Sequence, residues 1–329
     1  MEGNEEGGRA GEAFAALANE HRMRIIETLW DGRSTGPHGP ASPVSFSTLF
    51  EASDLEDKGQ FNYHLGKLVG PFLARGDDGY TLTYAGENVA RAVRAGSVTD
   101  NPEVESVPVE GRSCPFCGDD GIVMSYRGGV VLFSCTNCEG LAPESPMSPP
   151  GAIQAGTIPA SALVDRDPAE LYDDAILWGN HVYMTLLHGF CPVCAGAIDE
   201  ALAVCDDHDA SDGLCEACGE RFASRVRYEC RVCGTVEWGT LWGRLTYVEP
   251  VFGFLYNHGV NALRPSVDDL ALSRDLSEDV VSDEPPAVEY EFVVDGDAFR
   301  VRVESDLAVT AVDADQSPRS AENSIESGE

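Results

Sequence analysis

Residues 57–68 read DKGQFNYHLGKL, and the two-sidedness of this stretch decides how the N-terminal part of the chain folds. Phe61, Leu65 and Leu68 recur at i, i+4 and i+7, so on a helix they share one face. Asp57 stands where an N-cap belongs. The opposite face carries Lys58, Gln60, Asn62, Tyr63, His64 and Lys67, side chains able to reach base edges and phosphates when a helix lies in a major groove. On the C-terminal side, residues 72–75 and 80–83 are short apolar alternations around Gly76-Asp77-Asp78-Gly79, which is hairpin turn chemistry. Arg75 of this wing joins Lys58 and Lys67 as a phosphate candidate. Upstream, residues 47–52 predict a short helix and residues 14–30 a longer one with Phe14, Leu17, Ile25 and Leu29 on one side. Downstream, residues 85–95 predict a closing amphipathic helix with Val89 and Val93 inward.

The run LANEHRMRIIETLW (17–30), followed by SFSTLF (45–50) and QFNYHLGKL (60–68), resembles the ArsR-type winged helix-turn-helix in the form common among haloarchaeal regulators. The resemblance implies a DNA-binding transcription regulator, usually a homodimer, that sets the helix holding Gln60 to Leu68 into the major groove of double-stranded DNA. The cysteine-bearing metal-sensor motif of some relatives is missing, since no cysteine precedes Cys114. Metal sensing by this part is therefore not implied.

The 329 residues suffice for two or three domains. Asp and Glu total 56 against 22 basic residues, a formal charge of −34, and the only lysines are Lys58 and Lys67. Acidic charge spread over a chain of ordinary hydrophobic content predicts a folded protein with a carboxylate-covered surface, as in a halophile's cytosol. Such a balance repels nucleic acid, whose nonspecific binding rests on neutralised phosphates. The local count differs: residues 57–95 hold five basic and four acidic side chains, a net +1 against −35 for the remainder. High salt screens long-range repulsion to within a few ångströms, so short-range contacts can still carry recognition. The N-terminus MEGNEEGG has no signal-sequence character and no window of about 18 apolar residues occurs, which predicts a cytoplasmic protein without a membrane partner.

Eleven cysteines in a reducing compartment favour metal ligation over disulfides. Cys114-x2-Cys117 and Cys135-x2-Cys138 flank 17 residues that contain two strand-like runs around Gly128-Gly129, the zinc-ribbon arrangement. Eight further ligands fall within 43 residues: Cys191, Cys194, Cys205, His208, Cys215, Cys218, Cys230 and Cys233. A sequential pairing joins the first four and the last four. A nested pairing joins Cys191 and Cys194 to Cys230 and Cys233, around an inner set of Cys205, His208, Cys215 and Cys218. Spacing does not choose between them. Eleven cysteines plus His208 make three four-coordinate sites with none left over, so three structural Zn ions are expected, with iron as the other candidate metal. Four protein ligands leave no open position for water, which disfavours hydrolytic chemistry. His181 and His188 stand apart from these pairs and are expected to be non-ligands.

The expected fold class is α+β: an N-terminal winged helix-turn-helix, then zinc-ribbon-like β hairpins with a connecting helix and a small C-terminal α/β element. A disordered leader occupies 1–11, the DNA-binding domain 12–96 and a linker 97–111. The ribbon-containing domain spans 112–312, with a ribbon at 112–139, ribbons at 190–236, and a C-terminal helix and hairpin within 249–312. A disordered tail covers 313–329. Residues 31–44 predict a long loop and 140–161 a linker, because both are rich in Gly, Pro and Ser. Residues 168–188 predict the connecting helix, with Asp167 as its cap. Trp238 and Trp242 are expected in the core.

The leading functional expectation is a transcription regulator whose C-terminal half supplies structure, dimer contacts or a surface for the transcription machinery. The alternative is a protein-interaction scaffold of that machinery without sequence-specific DNA binding. A thiol redox enzyme is a third class, weakened because the CxxC pairs come as matched sets. No catalytic Ser/His/Asp set, phosphate-cradling loop or carboxylate pair stands out, so no enzyme activity is expected.

Overall fold

The computed structural model describes residues 3–32, 42–141, 149–210 and 214–312. The chain is α+β and divides into two compact units, Met1–Asp100 with Pro159–Ser161, and Asn101–Ile158 with Ala162–Glu329. Most of the expected 31–44 loop, part of the 140–161 linker and the whole 313–329 tail lie outside the described residues.

In the first unit, helices α1 (Gly3–Leu17), α2 (Glu20–Gly32), α3 (Phe46–Glu51) and α4 (Lys58–Leu68) precede strands β1 (Leu73–Arg75) and β2 (Tyr80–Leu82) and helix α5 (Tyr84–Arg94). Two expectations change here. The leader expected to be disordered is helical from Gly3, and Ala13, Ala16 and Leu17 of the same helix pack on the unit's core. The single helix expected over 14–30 is broken, because the Asn19 side chain accepts the backbone N–H of Arg22 at 3.2 Å and starts α2 anew. The break turns Phe14 out to 73% exposure. The core is Ile25, Ile26 and Leu29 from α2, Leu49 from α3, and Phe61, Leu65 and Leu68 from α4. Each such side chain contributes roughly 1.5–3 kcal/mol when fully buried. Strands β1 and β2 pair antiparallel from Leu73↔Leu82 to Arg75↔Tyr80, and Val44 bridges Tyr80 on the other side. Gly79 is required there: its φ is +142°, and a Cβ would collide with the Val44 carbonyl.

The second unit contains three antiparallel sheets among the described residues. The first orders β3 (Val104–Pro108), β4 (Ile122–Arg127), β5 (Val130–Cys135) and β6 (Ala152–Thr157) in sequence. Its outer strands lie in the stretches expected to be linkers. Val107 and Ile153 supply the apolar contacts that override the Gly- and Pro-rich flanks. Helix α6 (Pro168–Leu187) starts on the expected Asp167, whose side chain accepts the N–H of Ala169 and Glu170 at 2.9 Å each. Leu171 and Tyr172 bury against this sheet, with Tyr172 edge-on to Phe133 at 5.1 Å.

The next sheet contains β7 (Ile198–Val204), β8 (Ser224–Cys230) and β9 (Val236–Thr240). Helices α7 (Leu241–Leu245) and α8 (Glu249–Asn257) come after it. A meander of β10 (Ser277–Asp283), β11 (Pro286–Val294), β12 (Asp297–Val303) and β13 (Val309–Ala311) completes the unit. Strand β10 was not expected: SEDVVSD is acidic, and its ladder to β11 supplies what its composition lacks. Leu241, Leu245, Val251 and Leu255 pack with Val226, Tyr228, Tyr290, Val301 and Val303 in one core. Trp242 is half-buried, but Trp238 is 47% exposed rather than in the core, with the Arg225 guanidinium 5.8 Å from its ring.

Candidate metal centres and a polar helix face

All twelve residues singled out as ligands gather into three tetrads, each with its ligand atoms within 4.8 Å of one another. The first is Cys114, Cys117, Cys135 and Cys138, the second Cys191, Cys194, Cys230 and Cys233, and the third Cys205, His208, Cys215 and Cys218. The pairing is therefore nested. Strand pairing explains it, because β7 and β8 run antiparallel from Ile198↔Cys230 to Val204↔Ser224. An antiparallel pair brings the segment before β7 beside the segment after β8, and the segment after β7 beside the segment before β8. The second and third tetrads thus close opposite ends of one hairpin, roughly 20 Å apart for seven residues of strand.

Sulfur separations fit a central ion. Cys114 and Cys138 are 3.7 Å apart and Cys117 and Cys135 3.6 Å, while Cys191–Cys233 and Cys194–Cys230 are 3.7 and 3.5 Å. Thiolates held about 2.3 Å from one ion in a tetrahedron are about 3.8 Å from each other. A disulfide would need about 2.05 Å.

Four of the CxxC pairs repeat one backbone device. The N–H four residues after Cys114, Cys191, Cys215 and Cys230 donates to the carbonyl of that cysteine. The cysteine's own N–H donates to the carbonyl five residues on, at Asp119, Gly196, Glu220 and Thr235. The residue after the second cysteine, Gly118, Ala195, Gly219 or Gly234, takes a positive φ of 57° to 79°. Amide N–H groups also point at sulfur, as from Phe116 to Cys114, Val193 to Cys191 and Val232 to Cys230, each at 3.4 Å. Such donors favour thiolate over thiol. The residue after CxxC is a signal that was readable in the sequence: glycine stands after three of these pairs.

The third tetrad is the mixed one, and His208 fits it in detail. Its Nε2 lies 3.2 Å from the Arg221 carbonyl, which can only accept, so Nε2 carries the proton. Nδ1, 3.5 Å from the Cys218 sulfur, is left with its lone pair toward the cluster. Without a cation the thiols divide. The Asp209 N–H, with help from Cys218, draws Cys215 down to about 6, and the Thr235 hydroxyl draws Cys233 down to about 6. Burial pushes Cys138 up to about 12 and Cys218 up to about 11. Four thiolates cannot coexist so closely unless a cation offsets them. His181 and His188 belong to none of the three sets.

The polar face of α4 is the other candidate site. Asp57 caps the helix, its carboxylate accepting the Gln60 N–H at 2.6 Å. Lys58, Gln60, Asn62, Tyr63 and Lys67 are exposed, as is Arg75 on β1. The Lys67 ammonium lies 5.6 Å from the Tyr63 ring and the Arg75 guanidinium 5.8 Å from Tyr80. His64 departs from the expected set. It is buried on the inner edge of α4, its ring 5.3 Å from that of His21 and its Nδ1 without a hydrogen-bond partner among the described residues. Burial, then the charges of His21 and Arg22, lower its pKa. Position 64 borders the Phe61 and Leu65 stripe, so this side chain faces the core rather than standing out with Lys58 and Lys67.

A chain with a helical N-terminal unit and a second unit whose ribbon-like sheets carry three tetrads able to hold metal is the class that fold and sites define. Residues 111–309 match the family described as Domain of unknown function (DUF7351), which spans more than half of the chain, and the chain belongs to that family. Residues 10–93 match a second, Domain of unknown function (DUF7347). No curated protein and no solved structure matches the chain. Among the described residues, no helix is long and apolar enough to cross a membrane.

Proposed function

We propose that this protein is a DNA-binding transcription regulator. Its first unit acts as a winged helix-turn-helix on double-stranded DNA, and its second unit is shaped by three structural zinc ions. One observation carries the reading. The chain's only two lysines, Lys58 and Lys67, are both exposed on the polar face of α4, which also presents Gln60, Asn62 and Tyr63, on a molecule of charge −34. A face used only for packing has no need of that concentration. In this reading Gln60 and Asn62 address base edges and Lys58, Lys67 and Arg75 address phosphates. A homodimer would set two such helices on successive half-sites.

Zinc is the metal best suited to tetrahedra of four sulfurs, or of three sulfurs and one imidazole nitrogen. Such sites bind with roughly 10–16 kcal/mol of apparent energy, which becomes folding energy. When bound, the ion supplies cross-linking rather than chemistry, since each set fills four positions. The test is selection from a random duplex pool by the metal-loaded chain in molar KCl, with metal content measured on the same sample. Enrichment of one sequence together with three zinc ions per chain is expected. A pool that stays random would instead favour the protein-interaction scaffold.

A further inference from the structure

The second unit contains a half-open cavity that neither the metal sites nor the DNA reading uses. Strand β6, helices α6, α7 and α8 and the segment 260–272 line this cavity, which has a volume of about 350 Å³. Its wall is chiefly apolar, with Ile153, Ile176, Leu255 and Leu272 among the lining side chains. A half-open cavity of this size, with Ala155, Gly179 and Thr240 exposed at its mouth, is large enough for a small organic molecule.

The backbone is shaped to leave that space. Gly179 sits within α6 and Gly156 within β6, positions where glycine weakens a helix or a strand, and both line the cavity. A Cβ added at either would meet no atom within 4 Å, at the exposed mouth of the cavity for Gly179 and on its half-buried wall for Gly156. Neither glycine has a positive φ or a neighbour that would explain it.

Polar groups in the wall are few and already fixed. Asn180 accepts from the Tyr247 hydroxyl and donates to the Leu263 carbonyl at 3.3 Å, and the Tyr183 hydroxyl donates to the Thr240 carbonyl at 3.2 Å. The Gln154 amide nitrogen donates to the Tyr172 carbonyl at 2.7 Å, which leaves its carbonyl oxygen as an acceptor. Burial raises the pKa of Tyr183 and Tyr247, so both remain neutral. Among the described residues, Asp269 is the one charged side chain of the lining, and its carboxylate is engaged by the Ser266 N–H at 2.7 Å. No cationic side chain among them lines the cavity to receive an anionic group.

We propose that this cavity is a binding site for one neutral, mainly apolar small molecule bearing a hydrogen-bond donor. Anions are rejected because the described wall offers them no cationic partner and its apolar side chains strip part of their water, while the one carboxylate of that lining, Asp269, is already engaged by the Ser266 N–H. The proposal does not depend on DNA binding. In the regulator reading, it gives the second unit an effector to sense.

The test uses the full metal-loaded chain in molar KCl, where the overall negative charge is screened. Two fluorescent probes share a ring framework and differ by one sulfonate: neutral N-phenyl-1-naphthylamine and anionic 1-anilinonaphthalene-8-sulfonate. The neutral probe is expected to bind saturably, one per chain, at least about tenfold more tightly than the anion. Gly179→Leu, which obstructs the mouth from α6, is expected to weaken that binding by at least about tenfold while leaving metal content and thermal midpoint intact. Gly156→Val does the same from the opposite wall and decides the matter if the first variant fails to fold. Unsaturable binding, equal affinity for the two probes, or a folded variant that binds as wild type would each overturn the proposal.

Discussion

The two units of this chain are ordered by different physics. The first contains no cysteine and holds together through a periodic apolar stripe: Ile25, Ile26, Leu29, Phe61, Leu65 and Leu68 are all at most 2% exposed. The second also has apolar cores, yet its ribbon sheets end in twelve side chains able to hold metal, gathered into three sets. Within it the two ribbons differ again. The β4–β5 hairpin closes one end with a tetrad and the other with the tight Gly128-Gly129 turn. The β7–β8 hairpin has a tetrad at each end, because residues 205–223 are too long a connection to act as a turn. Loop-closure entropy grows with that length, and in the zinc-bound form proposed above a metal clip would offset it where a two-residue turn cannot be made.

The sharpest way to break the comparison is to strip the metal. Chelation at neutral pH should remove on the order of 10–16 kcal/mol per site. Amide exchange should then accelerate throughout β7 and β8 while α2 and α4 keep their protection. Simultaneous loss in both units would show that one cooperative core serves the whole chain. His208→Ala is the milder version. It should lower the metal count from three to two and cost on the order of 10–16 kcal/mol at that one site only. Exchange should rise over residues 205–223 and not at the Cys191 and Cys230 end.

The converse experiment is Leu65→Ala. It should destabilise the first unit by about 2–5 kcal/mol through an unfilled cavity, with all three metals retained. The smallest effect concerns His64. Burial and its cationic neighbours set its pKa below the ordinary 6.5, so the folded state binds fewer protons than the unfolded chain. The first unit should therefore be at full stability above pH 7 and lose stability as pH falls through about 6.5 toward the lowered value. In His64→Gln, melting temperatures measured against pH should be flatter over that window.

Much of this was readable in the sequence, and the remainder was hidden for physical reasons. The amphipathic register of 57–68 placed α4 with its cap, and all twelve ligands came together as singled out. The nested pairing was hidden because it depends on which strands pair, and IDEALAV and SRVRYEC are too charged to announce themselves as a ladder. The burial of His64 was not legible because position 64 lies on the border of the apolar stripe, where tertiary packing decides. The break at Asn19 and the edge strands β3 and β6 were missed where a single side-chain cap or a few apolar contacts outweighed composition.

The claim most exposed to test is that α4 reads bases. Footprints of the metal-loaded chain and of its Gln60→Ala/Asn62→Ala variant should be compared on one selected duplex in molar KCl. Each lost base contact is worth about 1–3 kcal/mol of discrimination. The account predicts a footprint that disappears in the variant while the metal content and the melting of the first unit stay unchanged. An identical footprint would show that DNA, if bound at all, is read by another surface.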